Sequence, residues 1–239
     1  MPKTLAIFGA GPVLGLAVAR RFGREGFRVA LVSRTKENQD KLVAELATDG
    51  IESAGFSADV SDRTQIPGAV EAITKAYGQI DAVIFSPGGG SMGEGIVPAL
   101  DITPESLQAI FDEFVLTGVA LVNAALPAMV ERGDGAIIFT GGQSGVYPTP
   151  MLGNAGMGQA ALRNYFYNLN GLLADKGVYV GAVNIGALIK GSVPYNMITS
   201  RPNIGFEIEA YSAEEFAENY WELYSKREKA EALVGSMGQ

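Results

Sequence analysis

Two residue types are missing from this chain altogether: it has no cysteine and no histidine. Without cysteine there is no disulfide, no thiolate nucleophile and no thiolate metal site. Without histidine no imidazole can serve as base, relay or ligand. A metal would depend on carboxylates alone, and no Asp/Glu cluster has suitable spacing, so no metal site is expected. Acid–base chemistry is left to Tyr, Lys, Asp, Glu or water. Positive charge is also scarce, with 18 Lys and Arg against 26 Asp and Glu and a net charge of −8. That balance argues against a nucleic-acid groove or an anionic membrane surface as partner. No apolar run reads as long enough to span a bilayer. The first apolar run breaks at Gly9, too early for a secretory signal, so a cytoplasmic protein is expected.

What is present is a chain of 239 residues, 47% hydrophobic, enough for one large domain over 1–239. Apolar runs read as strands at Leu5–Phe8, Arg28–Val32, Ile51–Ser57, Ile80–Phe85, Ala136–Thr140 and Val178–Ile185, with a short one near Ala232–Val234. Between them, helical spacing covers Leu16–Phe22, Glu37–Thr48, Arg63–Tyr77, Thr103–Glu131, Asn154–Ala174 and Ser212–Lys229. Thr103 reads as a cap and Pro127 as a bend near the end of its helix. Lys190 to Phe206 reads as an irregular excursion with two prolines, placed to be a substrate-side loop. Strands alternating with helices predict an α/β fold, a Rossmann-like doubly wound parallel sheet with helices on both faces. Ligands in such sheets lie beyond the carboxyl ends of the strands.

The most informative stretch is Leu5 to Ala19, LAIFGAGPVLGLAVA. It reads as strand, glycine turn and helix. Gly9 permits unusual backbone angles. Gly11 and Gly15 leave no side chain where a phosphate and the strand must come close, and the N–H groups that open the helix, around Val13, Leu14 and Gly15, can hold a pyrophosphate. The second strand ends in Ser33-Arg34. An acidic residue there would bind the adenosine ribose hydroxyls and repel a 2′-phosphate. A hydroxyl and a guanidinium suit the phosphate instead, so NADP(H) is expected in preference to NAD(H). Asp59, followed by Val60, is placed either to meet the adenine amino group or to cap the next turn.

Several segments then resemble the short-chain dehydrogenase/reductase family over nearly the whole chain. Phe8-Gly9-Ala10-Gly11-Pro12-Val13-Leu14-Gly15 is similar to the family's T-G-x-x-x-G-x-G, with Val13 in place of its middle glycine. Ala58-Asp59-Val60-Ser61-Asp62 matches the adenine motif, and Tyr77-Gly78-Gln79-Ile80-Asp81 the approach to the fourth strand. Phe85-Ser86-Pro87-Gly88 stands where the family has N-N-A-G, and Gly186 where it has P-G. The resemblance implies a nicotinamide dinucleotide bound at these positions. It also implies an oxidoreductase acting on a small carbonyl or alcohol, and a homodimer or homotetramer built through the two long helices.

The family's Asn, Ser, Tyr and Lys do not carry over. By alignment their places hold Val115, Gly142, Ala155 and Gln159. No Tyr-x-x-x-Lys occurs anywhere in the sequence, so the loss of that pair does not depend on the alignment. Gln159 can still hydrogen-bond a ribose but cannot lower a phenol pKa by charge. Ser144, Tyr147, Gln143 and Lys190 are the polar residues nearby. Tyr165 and Tyr167 read as helix packing. Three functions follow: an NADP(H)-dependent oxidoreductase with altered machinery; a silent NADP(H)-binding sensor, scaffold or partner subunit; or a fold in which Val13 has ended cofactor binding.

Overall fold

A computed structural model describes residues 2–87, 95–200 and 209–236. The strands are β1 (Thr4–Phe8), β2 (Arg28–Ser33), β3 (Ser53–Ser57), β4 (Ala82–Phe85), β5 (Gly135–Gly142), β6 (Val178–Ile185), β7 (Leu188–Ile189), β8 (Ala210–Tyr211) and β9 (Glu231–Val234). The α-helices are α1 (Leu14–Gly23), α2 (Lys36–Thr48), α3 (Ile66–Tyr77), α4 (Pro104–Ile110), α5 (Thr117–Arg132), α6 (Gly153–Leu173), α7 (Val193–Thr199) and α8 (Ala213–Lys226). Seven strands form one sheet in the order β3-β2-β1-β4-β5-β6-β9, and every pairing is parallel. The expected doubly wound α/β fold is therefore present. From β1 the chain builds outward to β2 and β3, then returns to β4 on the other side and builds the opposite way. The gap between the ends of β1 and β4 is the switch point at which such sheets bind ligands.

Both sheet faces are covered, and the sequence of β1 shows how. Leu5 and Ile7 face one apolar layer, with Leu16, Phe22, Leu42 and Tyr220. Ala6 and Phe8 face the other, with Ile73, Leu121, Met129 and Phe166. The period of two sends alternate side chains to opposite faces, so a strand buried on both must be apolar throughout. At the first layer Phe22 meets the Trp221 ring edge-on at 5.2 Å, which seats α8 against α1. Asp81 explains its approach segment: its buried carboxylate accepts the Thr4 N–H at 2.7 Å and the Gln79 amide at 2.7 Å, joining the starts of β1 and β4.

Three expectations change. The long helix at Thr103 is continuous to Arg132, but Phe111–Leu116 is π-helical. The Thr117 hydroxyl there donates to the Asp112 carbonyl at 2.8 Å. The loosened turn contains Val115, and such π segments often mark functional sites. This helix also contains an 18-residue window apolar enough to cross a membrane by length and composition, contrary to the sequence reading. Its Leu121, Val122, Ala125 and Met129 are buried in the core of this fold. Finally, the excursion from Lys190 is not wholly irregular. Val193–Thr199 is a helix capped by the Ser192 hydroxyl, with Pro194 in its first turn, where a missing N–H costs nothing. Residues 201–206 of that excursion lie outside the described residues.

One polar network ties the sheet edge to α6. Arg163 forks onto the Glu231 carboxylate at 2.9 and 2.7 Å, and the buried Asn184 amide donates to it at 2.8 Å. Burial pushes the Glu231 carboxyl up, but the bonds from Arg163, Tyr167 and Asn184 outweigh it and hold the group below its ordinary value. A depressed carboxyl stabilises fully above its unfolded pKa of about 4.3 and loses that contribution as pH falls through the lower folded value. Glu231→Gln is therefore expected to cost about 1–3 kcal/mol at neutral pH. Urea unfolding across a pH series should show the difference from wild type shrinking below about pH 4. A difference that does not change with pH would remove the carboxylate from the account.

Candidate functional site

At the switch point lies a cavity of about 240 Å³, lined by Gly9, Ala10, Gly11, Ser33, Arg34, Thr35, Asn38, Ala58, Asp59, Val60, Ser61 and Ser86. Seven of these, Gly9, Gly11, Ser33, Arg34, Asp59, Val60 and Ser86, are residues the sequence singled out, drawn from the ends of four strands.

The glycine turn builds the cavity floor. Gly9 has φ +93°, and a Cβ on it would stand 2.1 Å from the Ser86 carbonyl oxygen. Its N–H and that of Ala10 both donate to the Val32 carbonyl, at 3.0 and 2.9 Å. Gly11 differs, because a Cβ there would meet nothing within 4 Å. That open space adjoins the start of α1, whose first-turn N–H groups lack intrahelical partners. Gly15 serves packing: a Cβ would approach the Ala10 backbone to 3.1 and 3.2 Å. Val13, the residue that threatened binding, packs its partly buried side chain against the core and does not line the cavity. Leu14 packs likewise. Pro87 is buried beside the cavity without lining it, and Gly88 lies outside the described residues.

The far end of the cavity is rich in donors. Arg34 is exposed and has no ion pair among the described residues, whereas neighbouring Lys36 pairs with Asp40 and Glu37 with Lys41. The Thr35 hydroxyl accepts the Asn38 N–H at 3.4 Å as the cap of α2. Asn38 sends its amide nitrogen to the Ala10 carbonyl at 3.0 Å and to the Ser33 hydroxyl at 3.2 Å. Ala10, Ala58 and Ser61 fell inside the motifs read from the sequence without being singled out, and Thr35 and Asn38 were missed. Thr35 carried a legible signal, a cap residue just before helical spacing. Asp59 does cap its turn: one carboxylate oxygen accepts the Ser61 N–H at 2.9 Å and hydroxyl at 2.7 Å. Its position on the cavity wall leaves the other oxygen for a ligand.

The opposite end of the cleft is formed by β5, the turn Gln143–Gly145 and α6. Gln159 reaches back so that its side-chain oxygen accepts the Gly142 N–H at 3.2 Å. A Cβ on Gly145 would lie 2.7 Å from the Gln159 backbone, so the turn is pressed against α6. Ala155 is buried one helical turn before Gln159. Gln143 is no ligand candidate: it is buried, and its amide donates to the Gly235 carbonyl at 2.6 Å. Gly186 makes that possible, because a Cβ there would fall 2.2 Å from the Gln143 amide carbon. Ser144 has no hydrogen-bond partner among the described residues, and its hydroxyl lies 3.5 Å from where a Gly142 Cβ would be. Tyr147 is more than a third exposed, and Lys190 is exposed with its charge acting on Glu215. Tyr220, hydrogen-bonded to Thr140 at 2.7 Å, is fully buried, which pushes its phenol ionisation far up. Among the described residues no three Asp or Glu side chains gather as a metal site would require.

A family model described as short chain dehydrogenase matches residues 3–191. The chain is 31% identical over 182 residues to "Oxidoreductase asL5" of Sarocladium schorii, covering 76% of this chain and 70% of that one. It is 29% identical over 179 residues to "Dehydrogenase/reductase SDR family member 4" of Bos taurus, covering 73% and 62%. Thus it spans less than two thirds of the bovine relative. Among solved structures, an actinorhodin polyketide ketoreductase with NADPH superposes with a TM-score of 0.87 at 22% identity, over 100% of this chain and 98% of that one. YwfH, an NADPH dependent reductase involved in bacilysin biosynthesis, gives 0.88 at 18% identity, over 100% and 99%. At these identities the superpositions establish the fold.

The two cavity glycines separate folding from binding. Gly9→Ala combines a positive φ with a backbone clash and is expected to cost about 3 kcal/mol or more. Gly11→Ala should change stability by no more than about 0.5 kcal/mol, while its methyl occupies the open space. Chemical denaturation and nucleotide titration of both variants check this; a destabilised Gly11→Ala, or one with unaltered nucleotide affinity, contradicts the assignment.

Proposed function

This chain belongs to the short-chain dehydrogenase family, and we propose that it is an NADP(H)-dependent oxidoreductase acting on a small carbonyl or alcohol through an altered catalytic set. The observation that carries the cofactor half is the cavity at the switch point, which joins an open glycine turn to the unpaired Arg34. The residues fit the dinucleotide. The Gly11 space and the α1 N-terminus suit a pyrophosphate, Asp59 on the wall suits an adenine amino group, and Ser33 with Arg34 suits a 2′-phosphate. NADPH-bound and NADPH-named reductases among the similar structures support the same nucleotide.

The bound nucleotide supplies a hydride; the protein must orient it, hold the carbonyl oxygen and pass a proton. Gln159 stands at the end of β5 to meet the nicotinamide ribose. The free Ser144 hydroxyl projects beside the empty side-chain position of Gly142 and is the donor for the substrate oxygen. With Ala155 in place of a phenol, water delivers the proton. This arrangement predicts weak turnover of ordinary ketones. The absence of any Tyr-x-x-x-Lys also favours a second reading, nucleotide binding without turnover. The long helices α5 and α6 supply the faces for a homodimer or homotetramer.

Wild-type protein is expected to be stabilised against heat by NADPH more than by NADH, and Arg34→Ala to weaken NADPH about 10- to 100-fold with little effect on NADH. No response to either nucleotide would sink the reading. A triple variant, Gly142→Ser with Ala155→Tyr and Gln159→Lys, is expected to raise NADPH-dependent reduction of a ketone and aldehyde panel by about 10²–10⁴-fold. Position 142 has room for the side chain, since its Cβ would meet only Ser144 Oγ at 3.5 Å and Gln159 Cγ at 3.9 Å. Turnover by the wild type already at ordinary enzymatic rates, roughly 1–10³ per second, would refute the altered catalytic set.

A further inference from the structure

Asn38 is neither an end-of-strand residue nor a cap, yet it makes the only side-chain bridge the described residues show between the two ends of the cavity. Its nitrogen lies 3.0 Å from the Ala10 carbonyl, inside the glycine turn, and 3.2 Å from the Ser33 hydroxyl, at the end of β2. A carbonyl can only accept, so the group facing Ala10 must be the amide nitrogen. That settles the orientation of the amide, and with it the bond to Ser33: the second amide hydrogen donates to the Ser33 oxygen. A serine oxygen that accepts from one side keeps its own hydrogen for another partner. The Ser33 backbone carbonyl is already taken by the Gln39 amide at 2.8 Å and the Ala58 N–H at 3.2 Å. Among the described residues the Ser33 hydroxyl hydrogen has no acceptor, and the residue lines the cavity.

We infer that Asn38 is a positioning residue for nucleotide selectivity: it holds the Ser33 hydroxyl as a donor into the cavity, beside Arg34, where a 2′-phosphate would accept. The inference rests on the NADP(H) reading above and deepens it. The two bonds of Asn38 have separable consequences. The bond to Ala10 steadies the turn that faces the pyrophosphate, which NADPH and NADH share, so its loss weakens both equally. The bond to Ser33 acts on a group that only NADPH carries. A hydrogen bond to an ionised acceptor is roughly twice as strong as one between neutral groups, so a Ser33 donor aimed at phosphate discriminates where one aimed at a ribose hydroxyl does not.

The test is isothermal titration of the full chain with NADPH and, separately, NADH. The proteins are the wild type, Asn38→Ala, Ser33→Ala and the double variant. Asn38→Leu, close in size to asparagine, repeats the measurement in case the alanine variant folds poorly. Asn38→Ala is expected to lower the ratio of NADPH to NADH affinity about five- to tenfold. In the Ser33→Ala background the same substitution should leave the ratio unchanged, because the group it acts through is gone. A merely structural role for Asn38 would weaken both nucleotides and leave the ratio alone. An unaltered ratio in Asn38→Ala and Asn38→Leu overturns the inference while the NADP(H) reading stands. A ratio that falls equally in both backgrounds overturns action through Ser33. If the wild type binds neither nucleotide, or binds both alike, the NADP(H) reading fails and the inference fails with it.

Discussion

The ends of β1 and β4 lie side by side only because residue 9 has no side chain. A Cβ on Gly9 would stand 2.1 Å from the Ser86 carbonyl oxygen, closer than any real contact allows. Around that point the Ser86 N–H donates to Phe8, and the Gly9 and Ala10 N–H groups converge on the Val32 carbonyl. Three neighbouring strands are thereby locked at one level. The chain leaves β1 through a backbone angle that favours glycine, passes the open space at Gly11 and enters α1. Gly15 lets α1 press against Ala10, and Phe22, further along that helix, anchors it under α8. The cavity is thus a consequence of how the central strands end: its described lining gathers where β1, β2, β3 and β4 stop.

The opposite end of the cleft is held together by side chains. Gln143 crosses beneath Gly186 to reach the chain after β9, and Gln159 closes on the Gly142 N–H. Asn154, buried at the start of α6, accepts the Val97 N–H at 2.9 Å and donates to the Gly95 and Ser106 carbonyls at 2.8 and 3.2 Å. It fastens the chain that returns from the fourth strand to the helix carrying Ala155 and Gln159. Amide side chains do this fastening because each offers both donors and an acceptor, and a buried polar group left unpaired is costly.

What the sequence made legible follows the same division. The alternation of strands and helices, the glycine turn and the Ser33–Arg34 corner could be read because backbone constraints leave local marks: a glycine where φ is positive, an apolar run where both faces are covered. The cap at Thr35 was legible in kind. Asn38, Asn154 and the true role of Gln143 were not, since each acts on a partner far along the chain or on a backbone atom, and a lone amide in a helix or turn carries no pattern. The π segment at Val115 was hidden for a related reason: it is one extra residue in a helix whose apolar spacing stays intact. Val13 stands where the family resemblance implies a glycine, and it packs against the core without being part of the described cavity lining.

These two kinds of construction bear differently on substitution. Holding a pyrophosphate depends on backbone N–H groups and on absent side chains, so it survives as long as the fold does. Proton transfer depends on one side chain at one point. A positioned acid or base contributes about 10²–10⁴ to rate, while positioning two reactants contributes effective molarities of about 10⁵–10⁸ M. On the function proposed above, a site without the phenol therefore forgoes the smaller share. Such a site would keep the bound nucleotide, a hydroxyl at Ser144 and access to water, which suits a carbonyl already electrophilic enough to accept a hydride before its oxygen is fully protonated. On that physical ground the proposed set, with Gly142 and Ala155, would narrow the range of substrates more than it would remove the reaction.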